Sequence, residues 1–181
     1  MNNHIQYPRP VATNLLRAEI EYIANDVIRE YRFDSEKTFT HDLASQIGGK
    51  VRFGLEHSII KKEGSLSVHG PRDFEIRVPW GSGILRSNFF CAHQLGHYFL
   101  HSGKQAGTNP IQAMNYFNVE TDDLQVEREA NFFAHCLLMP REKFRKAYLE
   151  NYTYPLGVCS VFNVSLKLAQ ARWEYINRTK Y

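Results

Sequence analysis

Two histidines four residues apart stand in an apolar stretch, FFCAHQLGHYFLH, at residues 89–101. If this stretch is helical, His93 and His97 lie on one face with their Cβ atoms about 5–6 Å apart. Two imidazoles at that separation can bind one metal ion. A catalytic zinc ion takes three protein ligands and keeps a fourth position open, so the pair predicts a metal site that needs one further ligand.

The third ligand is expected from a second apolar helix, VEREANFFAHCLLMP, at residues 126–140. Glu127 can supply a carboxylate oxygen, and Asn131, one turn later, can orient a ligand histidine. Glu129 is the alternative ligand. Two residues along a helix correspond to a rotation of roughly 200°, so both acids cannot face the same ion. We prefer Glu127, because Asn131 and Ala134 continue its face.

His101 continues the histidine face, since it follows His97 by four residues. It could be a further ligand, a group that orients His97, or a cation that stabilises the C-terminal end of the helix. His135 lies near the face of Glu127, and we expect it to be a partner of the site rather than a ligand.

Composition narrows the class of protein. The chain has 181 residues, of which 43% are hydrophobic and 13% aromatic, so it can bury a core. The net charge of +3 is too small to argue for nucleic-acid binding by itself. The three cysteines do not form a disulfide framework, and no signal peptide or membrane span is evident. These features predict a cytoplasmic protein with no membrane association.

The order of the elements predicts an α+β fold in which a small, mostly antiparallel sheet packs against a helical bundle. Short alternating segments at residues 50–79 are typical of strands. We predict a single domain over residues 1–181, with an N-terminal helical segment at 1–39 and a C-terminal helix pair at 155–181. Ser87 or Asn88 is expected to cap the histidine helix, and residues 102–118 are expected to form a long loop.

Both helical motifs resemble those of the ImmA/IrrE family of zinc metallopeptidases. The segment AHQLGHYFLH is similar to AHELGHYLLH in that family, and EREANFFAHCLLMP resembles its second motif. The resemblance covers roughly residues 40–175. It implies a zincin-like fold and one Zn²⁺ ion per chain, bound by His93, His97 and Glu127, with residue 94 as the general base. It also implies a cytosolic endopeptidase whose substrate is a helix-turn-helix repressor, cleaved to induce a mobile-element, DNA-damage or phage-defence operon.

The sequence departs from the family pattern at Gln94, where a glutamate is expected. Glutamine is nearly isosteric with glutamate but cannot ionise, so it cannot take a proton from the attacking water and pass it to the leaving amine. The metal should still bind, since residue 94 is not a ligand. We therefore expect the chain as written to be inactive or nearly so. An introduced Glu→Gln substitution is the interpretation we favour, because the flanking motifs are intact.

The alternative interpretation is a natural pseudopeptidase that acts as a regulator by binding a repressor or a nucleic acid. A basic group could bind nucleic acid as an activating signal, although such a run is ordinarily a solvated helix face. This group comprises Lys104, Arg141, Lys143, Arg145 and Lys146.

Overall fold

Seven helices and four strands follow one another in the part of the chain that the computed structural model describes, residues 10–56, 65–102, 114–116, 124–150 and 155–179. The prediction of an α+β fold is confirmed. The helices are α1 (Arg17–Tyr31), α2 (Thr40–Ile47), α3 (Ile84–His101), α4 (Leu124–Leu138), α5 (Arg141–Glu150), α6 (Pro155–Phe162) and α7 (Leu166–Arg178). The strands are β1 (Lys50–Leu55), β2 (Leu66–Gly70), β3 (Asp73–Pro79) and β4 (Met114–Tyr116).

The strands form one mixed sheet in the order β1-β3-β2-β4. The β2–β3 and β2–β4 pairs are antiparallel, as expected, whereas β1 runs parallel to β3 with Val51 opposite Ile76. Alternate apolar residues of β2 and β3 are buried, among them Val68 and Phe74. The Phe74 ring packs against Tyr98 of α3 with centroids 4.2 Å apart. The inner face of the sheet is therefore covered by the helix that carries the histidine pair.

Helix α3 is buried along most of its length because it lies between the sheet and α4. Its first turns are tied to neighbouring elements through Asn88, which is only 1% exposed. The Thr40 backbone N–H donates to Asn88 Oδ1 at 2.9 Å, and Asn88 Nδ2 donates to the Asn163 carbonyl at 3.2 Å. Asn88 thus links α3 both to α2 and to the turn between α6 and α7.

Two local predictions were wrong. Helix α3 begins at Ile84 with Gly83 as its N-cap, so Ser87 and Asn88 lie inside the helix instead of capping it. The predicted loop at residues 102–118 contains β4, which pairs with β2. Three residues are too short for a periodic signal, and the strand exists because a partner edge is available. The flanking residues 103–113 and 117–118 lie outside the described residues, as do residues 1–9 of the N-terminal segment.

The three cysteines, Cys91, Cys136 and Cys159, are buried free thiols. Burial raises the pKa of Cys91 and of Cys136 to about 12. Among the described helices, none combines the length and hydrophobicity that crossing a bilayer requires. The prediction of a cytoplasmic location stays a prediction, as does that of a single domain over residues 1–181.

Helices α3 and α4 approach each other most closely at Gly96, which lies between the two histidines. A Cβ atom at this position would lie 2.8 Å from the Ala130 carbonyl oxygen and 3.0 Å from Ala130 Cα. Because these are backbone atoms, no side-chain movement relieves the contact. A glycine is therefore required for the two helices to lie at this distance.

We expect Gly96→Ala to destabilise the protein. Overpacking a core costs about 1–3 kcal/mol, which exceeds the gain of about 1 kcal/mol in helix propensity. Urea unfolding of metal-free protein measures the difference. Gly70→Ala is the matched control, since a Cβ there meets no atom within 4 Å. An unchanged unfolding midpoint for Gly96→Ala would contradict this account of the helix crossing.

Candidate metal centre

His93 and His97 of α3 and Glu127 of α4 converge on one point, with all three ligand atoms within 4.8 Å of one another. The Nε2 atoms of the two histidines lie 3.0 Å apart. Glu127 Oε2 lies 3.4 Å from His93 Nε2, and Glu127 Oε1 lies 3.5 Å from His97 Nε2. Two imidazoles and one carboxylate thus face a shared position at the helix crossing.

The separations fit a tetrahedrally coordinated metal ion. With metal–ligand bonds near 2.1 Å, the edge of a tetrahedron is about 3.4 Å, close to the distances between these three groups. The buried Glu127 Oε1 atom has no hydrogen-bond partner among the described residues. A buried acceptor in this state is accounted for by a cation at the point that it faces.

The electrostatics favour the protonation states that bind a metal. Burial lowers the pKa of His97 to about 3. Burial raises the pKa of Glu127, but its contacts with His93 and His97 outweigh this effect and hold that pKa well below its ordinary value. At neutral pH the site therefore offers a neutral imidazole at His97 and an ionised carboxylate at Glu127, as metal ligation requires.

Asn131 of α4, expected to orient a ligand histidine, contacts His93. The Asn131 Oδ1 atom lies 3.0 Å from His93 Nδ1. An amide oxygen only accepts hydrogen bonds, so His93 Nδ1 carries the proton and donates it, which leaves the lone pair of Nε2 directed to the metal position. The partner on α4 thus selects the tautomer of His93 that can bind a metal.

His101 and Glu129 extend the site behind His97. His101 Nδ1 lies 3.0 Å from His97 Nδ1, and His101 Nε2 lies 3.0 Å from Glu129 Oε2. When His97 Nε2 is a ligand, its Nδ1 donates to His101 Nδ1, and His101 Nε2 then donates to the Glu129 carboxylate. Of the three roles expected for His101, this geometry fits the one in which it orients His97.

The structure places Glu129, the alternative ligand, away from the converging atoms. Its Oε2 atom accepts from Thr13 N–H at 2.9 Å and Thr13 Oγ1 at 2.8 Å, and its Oε1 atom accepts from Asn14 N–H at 2.9 Å. The sequence did not predict the contacts of Thr13 and Asn14 with this carboxylate. The two residues are separated from α4 by more than a hundred residues, and no spacing pattern connects them to it.

Gln94 lies between the ligand histidines in sequence and is completely buried. Both its amide atoms, Oε1 and Nε2, lack a hydrogen-bond partner among the described residues. Buried polar atoms of this kind are rare in proteins, and a catalytic role or a bound water or ion is among the explanations for them. Its surroundings therefore fit a residue that acts on a bound molecule.

The ring of Phe89 forms an apolar wall next to the ligands. Its centroid lies 6.4 Å from that of His93 and 5.9 Å from that of His135. Burial, together with the charge of Arg172, lowers the pKa of His135 to about 4. His135 is thus a neutral, half-buried side chain that contacts Phe89 and lies outside the cluster of ligand atoms.

One protein family has a model that matches the part of the chain in which the two helical motifs lie. Residues 85–174 match the family model Peptidase_M78, described as the IrrE N-terminal-like domain. These residues of the chain belong to this family. No curated protein matches the sequence significantly. The part matched to Peptidase_M78 contains α3 and α4 with all three converging side chains, whereas Thr13 and Asn14 lie outside it.

Proposed function

We propose that the protein has the fold and the metal site of a zinc-dependent endopeptidase, of the type that cleaves a helix-turn-helix repressor. In this proposal Gln94 suppresses its peptidase activity. The convergence of His93, His97 and Glu127 on one point carries this proposal. Zinc is proposed over other metals because two imidazoles and one carboxylate form the ligand set of catalytic zinc in peptidases. A zinc ion at this point would act as a Lewis acid toward the scissile carbonyl and the attacking water.

The protein side chains supply position and hydrogen bonds. Asn131 and His101 hold the two ligand histidines in the required tautomers. The ring of Phe89 lies beside that of His93. The amide of Gln94 can donate or accept a hydrogen bond, but it cannot remove a proton. In this proposal the chain as written binds a peptide and turns it over slowly or not at all.

The substrate class and cellular role are supported by family membership alone. The resemblance to the ImmA/IrrE family implies a helix-turn-helix repressor as the substrate and a cytosolic location, and we propose both here. Cleavage would then relieve repression of a mobile-element, DNA-damage or phage-defence operon.

Repressor cleavage tests this function. We expect the Gln94→Glu variant, loaded with zinc, to cut a purified helix-turn-helix repressor encoded beside its gene into two fragments. A Gln94→Glu, His97→Ala double variant should leave the same repressor intact, because it lacks a ligand. Mass spectrometry of the fragments locates the cut. Equal cleavage of unrelated unfolded proteins, or an intact repressor in every sample, would sink the proposed substrate class.

The second candidate function is a pseudopeptidase that regulates by binding, and the unionisable side chain of Gln94 favours it. This hypothesis predicts that the unaltered chain binds the repressor and that Gln94→Glu gains no cleavage.

A nucleic-acid signal is proposed for either function. Within the basic group, Lys143 pairs with Asp34 at 3.1 Å and Arg141 pairs with Glu21 at 2.7 Å, so Arg145 and Lys146 are the more available cations. Lys104 lies outside the described residues.

A further inference from the structure

The segment that precedes α1, residues 10–16, reaches across the molecule to the carboxylate behind the metal ligands. Thr13 donates to Glu129 Oε2 through both its backbone N–H and its hydroxyl, and Asn14 N–H donates to Oε1. Gln125 Nε2 adds a longer contact of 3.3 Å to Oε1. Glu129 is only 2% exposed, so protein donors replace the water that would otherwise solvate this carboxylate.

The backbone of the segment is shaped for this contact. Asn14 has a φ of +56°, in the left-handed region that non-glycine residues seldom occupy. This conformation redirects the chain directly after the two N–H groups that contact Glu129, so that the segment can turn into α1 while Thr13 and Asn14 stay against the carboxylate. Thr13 Oγ1 also accepts from Leu15 N–H at 3.3 Å, which closes the turn before α1 begins. A conformation that costs energy is kept where the contact offsets it.

A continuous series of hydrogen bonds leads from this segment to a metal ligand. Glu129 Oε2 contacts His101 Nε2, and His101 Nδ1 contacts His97 Nδ1, each at 3.0 Å. Each contact fixes the ring orientation of the next side chain. The position of Glu129 therefore determines the direction in which His97 Nε2 points.

We propose that the N-terminal segment is a positioning element of the metal centre, in which Thr13 and Asn14 hold Glu129, and through it His101 and His97, in the orientation that binds the metal. The inference rests on the metal site of the proposed function and deepens it. Because these side chains are ordered before the metal binds, less conformational entropy is lost when it does. By thermodynamic linkage, metal binding must strengthen the docking of the segment by the same factor.

Zinc affinity, measured by competition with a chelator, tests the proposal in the full chain. We expect Glu129→Gln to weaken zinc binding by about 10–100-fold, the usual effect of losing a group that orients a ligand. Thr13→Val keeps the side-chain shape but removes the hydroxyl, which donates to Glu129 and accepts from Leu15 N–H, and we expect about 3–10-fold weaker binding. Glu19→Gln is the matched control, because Glu19 accepts from Leu16 N–H at the start of α1 without touching Glu129. Its zinc affinity should not change.

Two further measurements separate positioning from a general loss of structure. The visible spectrum of cobalt-substituted Thr13→Val should shift relative to the unaltered chain, because the orientation of His97 changes the ligand field. Hydrogen exchange at the amides of Thr13 and Asn14 in the unaltered chain should slow when zinc is added.

The outcomes distinguish this inference from the proposed function. If the unaltered chain binds one zinc ion, but Thr13→Val and Glu129→Gln bind it equally well and zinc leaves the exchange of both amides unchanged, the positioning role is wrong while the metal site stands. If the unaltered chain binds no zinc, both the metal site and the positioning role are overturned.

Discussion

The Gln94→Glu variant is expected to hydrolyse a susceptible peptide about 10²–10⁴ times faster than the chain as it stands, the usual contribution of a positioned general acid–base group. Glutamine and glutamate have almost the same shape, so the helix and the ligands His93 and His97 are left in place. The change adds the one property that Gln94 lacks, a carboxylate that accepts a proton from water and returns it to the leaving amine.

The pocket around residue 94 should tune the introduced carboxyl for this reaction. Gln94 is fully buried, and neither of its amide atoms has a protein partner among the described residues. Burial without donors raises the pKa of a carboxyl group, which brings it nearer to neutral pH, where a general base is most effective. We therefore expect activity to fall at acidic pH as the introduced carboxyl is protonated.

A fluorogenic peptide that spans the repressor cleavage site would measure this gain as kcat/KM. The assay would cover roughly pH 5–9, the range in which a general base of this kind titrates. Gln94→Met is the matched control, because it keeps the length of the side chain without an ionisable group. Equal rates for the glutamate variant and the methionine variant, with zinc bound to both, would show that residue 94 does not act as the base in this chain.

The second large effect is expected at Arg172 of α7, whose guanidinium is 1% exposed. It donates to Glu21 of α1, to the Met139 carbonyl at 3.0 Å and to Cys136 Sγ at 3.4 Å. Glu21 also pairs with Arg141 at 2.7 Å. The network joins the first and last helices to the end of α4, which carries Glu127.

Arg172→Met should lower the free energy of unfolding by about 3–5 kcal/mol, the usual cost of removing one partner of a buried ion pair. The loss comes from Glu21, which keeps a buried charge with one cation fewer, and from the Met139 carbonyl, which loses its donor. Urea unfolding of the metal-free protein measures it. Arg178→Met is the control, since Arg178 pairs with Glu174 on the surface with a side chain that is 81% exposed. A similar small effect for both variants would contradict the role of the network.

The same network predicts how stability depends on pH. Burial raises the pKa of Glu21, but hydrogen bonds and charge from Arg141 and Arg172 outweigh burial and lower it below 4.5. A carboxyl with a lowered pKa in the folded state contributes stability that is fully present above its unfolded pKa and is lost as the pH falls through its folded pKa. Arg172→Met raises the folded pKa of Glu21. The free energy of unfolding of this variant should therefore fall less below pH 4.5 than that of the unaltered chain.

The sequence was informative wherever the chemistry lies within one or two helical turns. The spacing of His93 and His97, and that of Glu127 and Asn131, places side chains on one helix face whatever the rest of the fold does. The same periodicity separated Glu127 from Glu129, and the structure directs the two carboxylates to different partners. Helical geometry alone was sufficient for these inferences.

Contacts between distant parts of the chain could not be predicted in this way. The bonds from Thr13 to Glu129 span 116 positions, and nothing in the types of these residues marks them as partners. The parallel pairing of β1 with β3 depends on the path of the chain between them. Asparagine favours helix caps, so the sequence predicts a cap at Asn88, but its buried contact with Thr40 of another helix determines its place.

The burial of the three cysteines has a consequence for oxidation chemistry. Only the thiolate form reacts readily with peroxide or disulfides, and burial raises the pKa of Cys91 and Cys136 to about 12. At neutral pH these sulfurs are protonated and enclosed, so an oxidant reaches them only when the core opens. Labelling with a thiol reagent would therefore report the rate of that opening, and purification without a reductant should leave the fold and the neighbouring metal ligands unmodified.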